Sequence, residues 1–199
     1  MMNLPVMEHF YTLQGEGAFT GHAAYFIRLG GCDVGCTWCD VKESWDINAH
    51  PKMSIDAIAD LTQNSGTKIA VITGGEPTMH DLTALTQAIQ NLQIRTDIET
   101  SGTNPISGDW DWICFSPKRF KKPLEMYFEL SHELKVVIAH KNDLRWAKEF
   151  EAKMHKNCKL YIQPEWDNRQ EMTNLCIDFI KENPNWSLSL QTHKYIDIP

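Results

Sequence analysis

Three cysteines lie within eight positions of this 199-residue sequence, and their spacing is its strongest chemical feature. They are Cys32, Cys36 and Cys39, in the segment CDVGCTWC. A structural zinc site closes with four ligands, usually supplied as two pairs, and a [4Fe–4S] electron carrier is held by four cysteines. Three thiolates on one loop can instead bind three irons of a cluster and leave the fourth iron open. We therefore predict an open [4Fe–4S] cluster on this loop.

Two other interpretations of the triplet stay open from the residues alone. His50 is a candidate fourth ligand of a zinc site, although its distance from Cys39 is not a standard ligand spacing. The other alternative is a disulfide or an incidental group of cysteines. The remaining cysteines, Cys114, Cys158 and Cys176, are scattered among apolar residues. Free cysteine often packs as a small buried hydrophobe, and we expect that of these three.

Two further features have side chains suited to ligand binding. The segment Thr73-Gly74-Gly75-Glu76-Pro77 combines glycines that let a ligand meet the backbone with a carboxylate that either structures the turn or receives an ammonium. Arg28 lies two residues before Gly30 on an apolar run. Its guanidinium suits bidentate binding of a carboxylate, or else an ion pair within the sheet.

Other polar segments offer hydrogen-bonding groups. Leu13-Gln14-Gly15-Glu16-Gly17 provides an amide and a carboxylate, which together can recognise the donor and acceptor edge of a heterocycle; a flexible turn is the simpler interpretation. Ser116-Pro117-Lys118 provides a hydroxyl and a cation, and Gln163 a further amide.

The elements that position these groups alternate between strands and helices. Apolar, β-branched runs predict strands, and helical spacing with capping residues predicts helices. The predicted strands cover residues 24–29, 68–73, 95–99, 112–115, 134–139, 159–162 and 186–190. The predicted helices cover about residues 55–63, 82–92, 142 or 143 to 154, and 168–182, with Ser54 and Asp81 capping the first two.

Strand–helix alternation predicts parallel strands joined by right-handed crossovers. The chain is too short for an ordinary eight-unit barrel, which takes about 250 residues. We predict an α/β fold in one domain over residues 1–199: an incomplete, TIM-like barrel of about six parallel strands with crossover helices. Ligands bind outside the carboxyl ends of such strands. The polar segments, each of which follows a strand, should therefore converge on one pocket.

Composition and charge exclude several classes of partner. The chain has 19 basic and 26 acidic residues and a formal charge of −7, which argues against non-specific binding of nucleic acid. Its apolar runs are far shorter than the roughly 20 residues of a membrane helix. The N-terminal residues lack the basic start and apolar core of a signal peptide. We expect a cytoplasmic protein.

The Cys32-x3-Cys36-x2-Cys39 motif and Gly74–Pro77 resemble those of radical S-adenosylmethionine (SAM) enzymes. More narrowly, the chain resembles the 7-carboxy-7-deazaguanine synthase family, through segments that run almost from end to end. The matching segments are Leu13–Gly17, Phe26–Cys32, Trp38–Asp40, Thr73–Pro77, Glu99–Thr103, Ser116–Lys118 and Gln191–Lys194.

This resemblance implies a specific reaction. A [4Fe–4S] cluster on Cys32, Cys36 and Cys39 would reductively cleave SAM, and the 5′-deoxyadenosyl radical would take hydrogen from C6 of 6-carboxy-5,6,7,8-tetrahydropterin. Ring contraction with loss of ammonia would give 7-carboxy-7-deazaguanine, a precursor of queuosine. The resemblance also implies an external flavodoxin- or ferredoxin-type electron donor, a homodimer, and the partial-barrel fold. Alternatives are a radical SAM activase that makes a glycyl radical on a partner protein, and a metal-stabilised binding module without enzymatic activity.

The resemblance also implies which residues form the site. It implies no catalytic residue, because the 5′-deoxyadenosyl group derived from SAM carries the radical. The predicted substrate-binding residues are Leu13, Gln14, Gly15, Glu16, Arg28, Thr73, His193 and the terminal carboxylate of Pro199. The predicted SAM-binding residues are Trp38, Cys39, Asp40, Gly75, Glu76, Ser116, Pro117, Lys118 and Gln163. The cluster loop is expected at residues 30–46, and the C-terminal tail is expected to close the site.

One departure from the family pattern concerns Mg²⁺. The family often has Thr directly after Cys-Asp, and its hydroxyl helps to bind a Mg²⁺ that contacts the substrate. Here the position is Val41, which offers no oxygen to a hard cation. We therefore predict weaker Mg²⁺ dependence, with Asp40, Ser44 or waters as the remaining ligands.

Overall fold

One nine-stranded sheet organises residues 2–199, which the computed structural model describes. The strands are β1 (Asn3–Leu13), β2 (Ala23–Leu29), β3 (Lys52–Ser54), β4 (Ile69–Gly74), β5 (Arg95–Thr100), β6 (Trp112–Phe115), β7 (Glu133–Ile138), β8 (Lys159–Pro164) and β9 (Trp186–Leu188). The helices are α1 (Ile55–Asn64), α2 (Thr83–Asn91), α3 (Tyr127–Leu130), α4 (Asn142–Glu151), α5 (Arg169–Glu182) and α6 (Thr192–Ile196).

The strands follow the order β3-β1-β2-β4-β5-β6-β7-β8-β9, and the two ends of the sheet do not meet. Every pair from β2 through β9 is parallel. The predicted incomplete barrel with crossover helices is therefore confirmed, with seven parallel strands. All seven strands predicted from apolar runs are present.

The two strands at the start of the sheet were not predicted from the sequence. β1 pairs antiparallel with β2 and, at its first residues, with β3. Pro5 lies inside β1, and the buried residues of the strand do not alternate with exposed ones; both features argue against a strand in a sequence pattern. A register shift between Val6 and Glu8 interrupts the β1–β2 ladder. It places Glu8 directly opposite Arg28.

The sheet and its helices enclose one large hydrophobic core. Ile27, Ile72, Ile98 and Phe115 on the central strands are fully buried in it. The predicted cap of α1 is confirmed, because the Ser54 hydroxyl accepts a hydrogen bond from the Ala57 N–H at 3.2 Å.

The isolated cysteines and the helix ends agree with expectation in most respects. Cys114, Cys158 and Cys176 are buried free thiols, as predicted. The predicted cap of α2 is wrong: the helix begins at Thr83 after an N-cap at Leu82 that makes no side-chain cap hydrogen bond. Asp81 instead accepts hydrogen bonds from the N–H and the hydroxyl of Thr83. The short helices α3 and α6 were not predicted.

Within residues 2–199, no helix is long and apolar enough to cross a membrane.

Candidate active site

A cavity of about 310 Å³ opens at the carboxyl ends of the parallel strands, where ligands bind in sheets of this kind. The segments that follow β2, β4, β5, β6 and β8 all contribute to its wall, so the predicted convergence is observed. The predicted site residues that line it are Glu16, Arg28, Cys32, Cys36, Trp38, Cys39, Asp40, Thr73, Gly75, Glu76, Ser116, Lys118 and Gln163.

The other predicted site residues do not line this cavity. Gln14 is buried and donates to Glu99, while Gly15 packs against the ring of His193. Pro117 is buried; Leu13 and Pro199 are exposed. The substrate and SAM contacts assigned to all these residues stay predictions.

The cluster loop packs directly on the glycines that follow β4. A Cβ atom on Gly75 would lie 2.3 Å from the Gly31 carbonyl oxygen and 2.7 Å from the Cys32 Cβ. Only glycine therefore fits at this position. The Glu76 N–H donates to the same Gly31 carbonyl at 2.8 Å. This hydrogen bond fixes the position of the Gly-Gly-Glu-Pro segment relative to the first cysteine.

The three thiols fit an iron–sulfur cluster better than a single metal ion. Within residues 2–199, no group of three or more His, Cys, Asp or Glu side chains is gathered closely enough to hold one metal ion. In a [4Fe–4S] cluster each cysteine binds a different iron, and Cys32, Cys36 and Cys39 border the same cavity as free thiols. Burial raises the pKa of Cys36 to about 11 despite the nearby Lys118; a coordinating metal deprotonates such a thiol outright.

The zinc interpretation receives no support from His50. Its Nε2 lies 2.9 Å from the Glu43 carbonyl oxygen, and its ring packs against Gly30. It therefore braces the start of the cluster loop.

Glu76 structures its turn, which was one of the two roles considered for it. Its carboxylate accepts hydrogen bonds from the Thr78 N–H at 3.1 Å, the Thr100 hydroxyl at 2.5 Å and the Ser101 N–H at 2.8 Å. The hydroxyls of Thr78 and Ser101 also donate to it. These bonds tie the end of β4 to the end of β5, so Glu76 shapes the cavity wall through its neighbours.

Arg28 forms the predicted ion pair within the sheet and also lines the cavity, while its binding of a substrate carboxylate stays a prediction. Its Nε donates to Glu8 Oε1 at 2.6 Å across the β1–β2 pair, and its side chain lines the cavity. The guanidinium therefore has a fixed counter-ion on one edge and reaches the cavity. The sequence analysis did not identify Glu8 as the partner of Arg28, because it did not predict β1. Nothing in the residues around Glu8 indicates this role.

Lys135 and Glu99 form a charged group that was also missed. The Lys135 side chain is 3% exposed. Its Nζ lies 2.5 Å from Glu16 Oε2 and 2.7 Å from Glu99 Oε2, and all three residues line the cavity. Burial alone would raise the pKa of Glu16, but Lys135, His193 and Gln191 together outweigh burial and lower this pKa to about 2. The sequence feature that could have identified Lys135 is a single lysine in the apolar run ELKVVI, just as Arg28 is a single cation in AYFIRL.

The C-terminal segment packs over the N-terminal segment and the cluster loop. The Thr192 N–H and hydroxyl donate to the Gly15 carbonyl at 3.0 and 2.9 Å. Gln191 Nε2 donates to Glu16 Oε1 at 3.0 Å, and Lys194 Nζ to Asp40 Oδ2 at 2.6 Å. Residues from both ends of the chain thus meet beside the cavity.

The surroundings of Val41 do not form an evident Mg²⁺ ligand set. Val41 lines the cavity without a side-chain oxygen. The Ser44 hydroxyl is buried and donates to the Val41 carbonyl at 2.7 Å, and Asp40 is paired with Lys194. Hard cations need several oxygen ligands, and the side chains around Val41 do not provide such a set.

Comparisons with known proteins agree with this geometry. A profile of the radical SAM superfamily matches residues 26–114. The 7-carboxy-7-deazaguanine synthase of Flavobacterium psychrophilum is 52% identical over 196 residues, covering 98% of this chain and 93% of the relative. The enzyme of the same name from Escherichia coli K12 is 35% identical, covering 99% and 100%. The crystal structure of QueE from E. coli superposes with a TM-score of 0.87 at 33% identity, covering 96% and 95%.

Proposed function

The chain belongs to the 7-carboxy-7-deazaguanine synthase family of the radical SAM superfamily, and we propose that this chemistry takes place in the cavity at the carboxyl ends of its strands. The chain is accordingly a radical SAM lyase of deazapurine and queuosine biosynthesis, with a [4Fe–4S] cluster and SAM as cofactors. It converts 6-carboxy-5,6,7,8-tetrahydropterin to 7-carboxy-7-deazaguanine and ammonia. The observation that supports the site is the meeting of the three cysteines, the Gly-Gly-Glu-Pro segment and Arg28 on one cavity.

The cofactor side of the cavity is the wall that contains the cysteines. Cys32, Cys36 and Cys39 would hold the cluster, which together with SAM supplies the 5′-deoxyadenosyl radical that takes hydrogen from substrate. Gly75 packs closely against Cys32 and lines the cavity. The remaining residues proposed to bind SAM are Trp38, Asp40, Ser116, Pro117, Lys118 and Gln163, with Glu76 positioning the segment.

The substrate side is polarised in a way that suits a carboxylated pterin. Arg28 provides a guanidinium for the substrate carboxylate. Glu16 and Glu99 provide acceptors for ring N–H groups. Thr73 contributes a hydroxyl, and His193 packs against Gly15 at the rim. Leu13, Gln14, Gly15 and the carboxylate of Pro199 complete the proposed substrate set.

A glycyl-radical activase does not explain the substrate side. Such an enzyme shares the cysteine motif, but its peptide substrate does not require a guanidinium and two carboxylates arranged around a buried ammonium. The Glu16–Lys135–Glu99 group therefore favours the pterin lyase.

Partners and assembly belong to the proposal as well. A small one-electron carrier of the flavodoxin or ferredoxin type supplies the electron, and the chain functions as a single domain within a homodimer. Light scattering coupled to size exclusion tests the dimer, and reduction by purified carriers tests the donor.

Anaerobic reconstitution followed by turnover is the decisive experiment. The protein is loaded with iron and sulfide, then incubated with SAM, a reductant and 6-carboxy-5,6,7,8-tetrahydropterin, and products are identified by mass spectrometry. We expect 7-carboxy-7-deazaguanine from the wild type and none from Cys32→Ala, Cys36→Ala or Cys39→Ala. The matched controls Cys114→Ala, Cys158→Ala and Cys176→Ala should keep their iron and activity. Full iron occupancy in a loop variant contradicts the ligand assignment.

A further inference from the structure

We propose that Lys135 is a positioning residue, whose buried ammonium fixes Glu16 and Glu99 as two adjacent acceptors for the N–H edge of the substrate ring. The identity of the ring rests on the proposed function. The arrangement of the three side chains does not, and it is tested separately below.

The geometry leaves Lys135 few alternatives. It lies on β7 with neighbours that are fully buried, Leu134 and Val136 among them. A buried ammonium is costly unless it is paired and hydrogen-bonded. Glu16 and Glu99 satisfy it at 2.5 and 2.7 Å. The two carboxylates and one ammonium leave a net negative charge on this side of the cavity, whereas Arg28 lies on its wall as a cation.

The pairing determines the protonation state of the acceptors. Lys135, together with His193 and Gln191, lowers the pKa of Glu16 to about 2 against the effect of burial, so Glu16 is ionised and acts only as an acceptor. Burial lowers the pKa of Lys135, but the surrounding acidic groups outweigh this and raise it well above its usual value. Lys135 therefore keeps its proton at neutral pH, which argues for positioning rather than acid catalysis.

The effect of Lys135 extends through both carboxylates to the flanking segments. Glu99 Oε1 accepts from Gln14 Nε2 at 3.3 Å, and Gln14 Oε1 accepts from the Glu16 N–H at 3.0 Å. Glu16 Oε1 accepts from Gln191 at 3.0 Å. One ammonium thus anchors the substrate-lining segment and, through Glu16, the C-terminal tail.

Hydrogen exchange of the protein without added cofactors tests the positioning role independently of activity. In Lys135→Met we expect the amides of Glu16, Gly17 and Thr192 to exchange at least about tenfold faster, as for loss of one charge-assisted hydrogen bond. Amides in β4 should be unchanged. Lys135→Arg should restore protection, and Lys159→Met, an exposed lysine on the neighbouring strand β8, is the matched control.

Kinetics of the loaded enzyme provide the second measurement. We expect Lys135→Met to raise the KM for the carboxy-tetrahydropterin by about 10- to 100-fold, on the scale of charged hydrogen bonds. SAM affinity and iron content should stay near wild type, and more 5′-deoxyadenosine should form per product. Lys135→Arg should recover most of the loss.

Two results would overturn the assignment. One is unchanged exchange and KM in Lys135→Met; the other is faster exchange throughout the sheet together with lost SAM affinity, which indicates a purely structural lysine. If Lys135→Met fails to fold, Lys135→Met/Glu99→Gln keeps the wild-type net charge of the group and should still show the faster exchange at Glu16. A wild type that does not turn over the pterin contradicts the proposed function but leaves the exchange result valid.

Discussion

Glu8 changes what Arg28 can offer a substrate. An arginine side chain without a counter-ion can adopt many rotamers, and fixing it on binding has an entropic cost. Glu8 holds the Nε of Arg28 at 2.6 Å from across the β1–β2 pair, so the guanidinium is oriented before substrate arrives. The planar fork of arginine then suits bidentate recognition of a carboxylate.

Arg28→Ala should weaken binding of the carboxylated pterin while leaving SAM binding intact. A charge-assisted hydrogen bond contributes about 1.5–3 kcal/mol, so the KM should rise about 10- to 100-fold. Glu8→Gln should produce a smaller rise, because the guanidinium stays but its orientation is less restricted. Steady-state kinetics and SAM titration measure both effects. Reduced SAM affinity with an unchanged KM for the pterin contradicts the assignment.

Asp97 should make stability depend on pH between about 4 and 6. Burial raises the pKa of Asp97 from 3.8 to about 6, and Arg95 opposes this only in part. The folded state therefore holds a proton that the unfolded state releases in this window, so stability falls as the pH rises from 3.8 to 6. The shift corresponds to at most about 3 kcal/mol.

Urea denaturation of wild type and Asp97→Asn at several pH values tests this prediction. Asparagine does not titrate, so wild-type stability relative to the variant should decline from pH 4 to pH 6 and stay level above it. Taking the difference between the two proteins removes the other carboxylates from the comparison. An increase with pH over that window is the contrary result.

At the scale of elements, the site is built from segments that follow strands and are fastened to one another. Glu76 joins the segment after β4 to the end of β5, and Gly75 packs on Cys32. The Nε2 of His80, which follows the Gly-Gly-Glu-Pro segment in the chain, lies 2.8 Å from the Gly30 carbonyl oxygen. The parallel strands determine where these segments meet, and the hydrogen bonds between segments determine their relative positions.

The side chain of Val41, on the cluster loop, should determine how strongly Mg²⁺ stimulates turnover. Because the side chain of Val41 has no oxygen and Asp40 is paired with Lys194, Mg²⁺ should stimulate turnover only weakly. Val41→Thr supplies a hydroxyl of nearly the same volume and should increase the stimulation. Activity is measured across a Mg²⁺ titration at matched iron content, with Val137→Thr, another valine that lines the cavity, as the control. A strict Mg²⁺ requirement in the wild type shows that other ligands exist.

For the whole molecule, local pattern predicts the parallel strands and the cysteine loop, but not the contacts between distant segments. Runs such as KIAVIT identify a buried strand, and three close cysteines identify a ligand loop. β1 lacks such a pattern, and it forms a strand through its pairing with β2. Lys135 meets Glu16 and Glu99 only after the sheet has formed. The antiparallel start of the sheet and the charged group therefore depend on tertiary structure.

The tail joins these distant segments into one site, and its removal should separate substrate chemistry from SAM cleavage. A chain lacking residues 191–199 loses the contacts of Gln191 and Thr192 with the N-terminal segment and of Lys194 with Asp40. The cysteines and the Gly-Gly-Glu-Pro segment keep their own contacts. We therefore expect iron loading and SAM cleavage to persist, while product formation falls and 5′-deoxyadenosine accumulates.

Two lysine variants distinguish a specific role of the tail from a general loss of surface charge. Lys194 pairs with Asp40 at 2.6 Å, and Lys181 pairs with Asp178 at 3.4 Å on the exposed face of α5. Exposed ion pairs contribute about 0–1 kcal/mol, so Lys194→Met should raise the KM for the pterin only a few-fold. Lys181→Met should have no effect, because its pair lies away from the cavity. If the shortened chain couples SAM cleavage to product as tightly as the wild type, the tail has no part in closing the site.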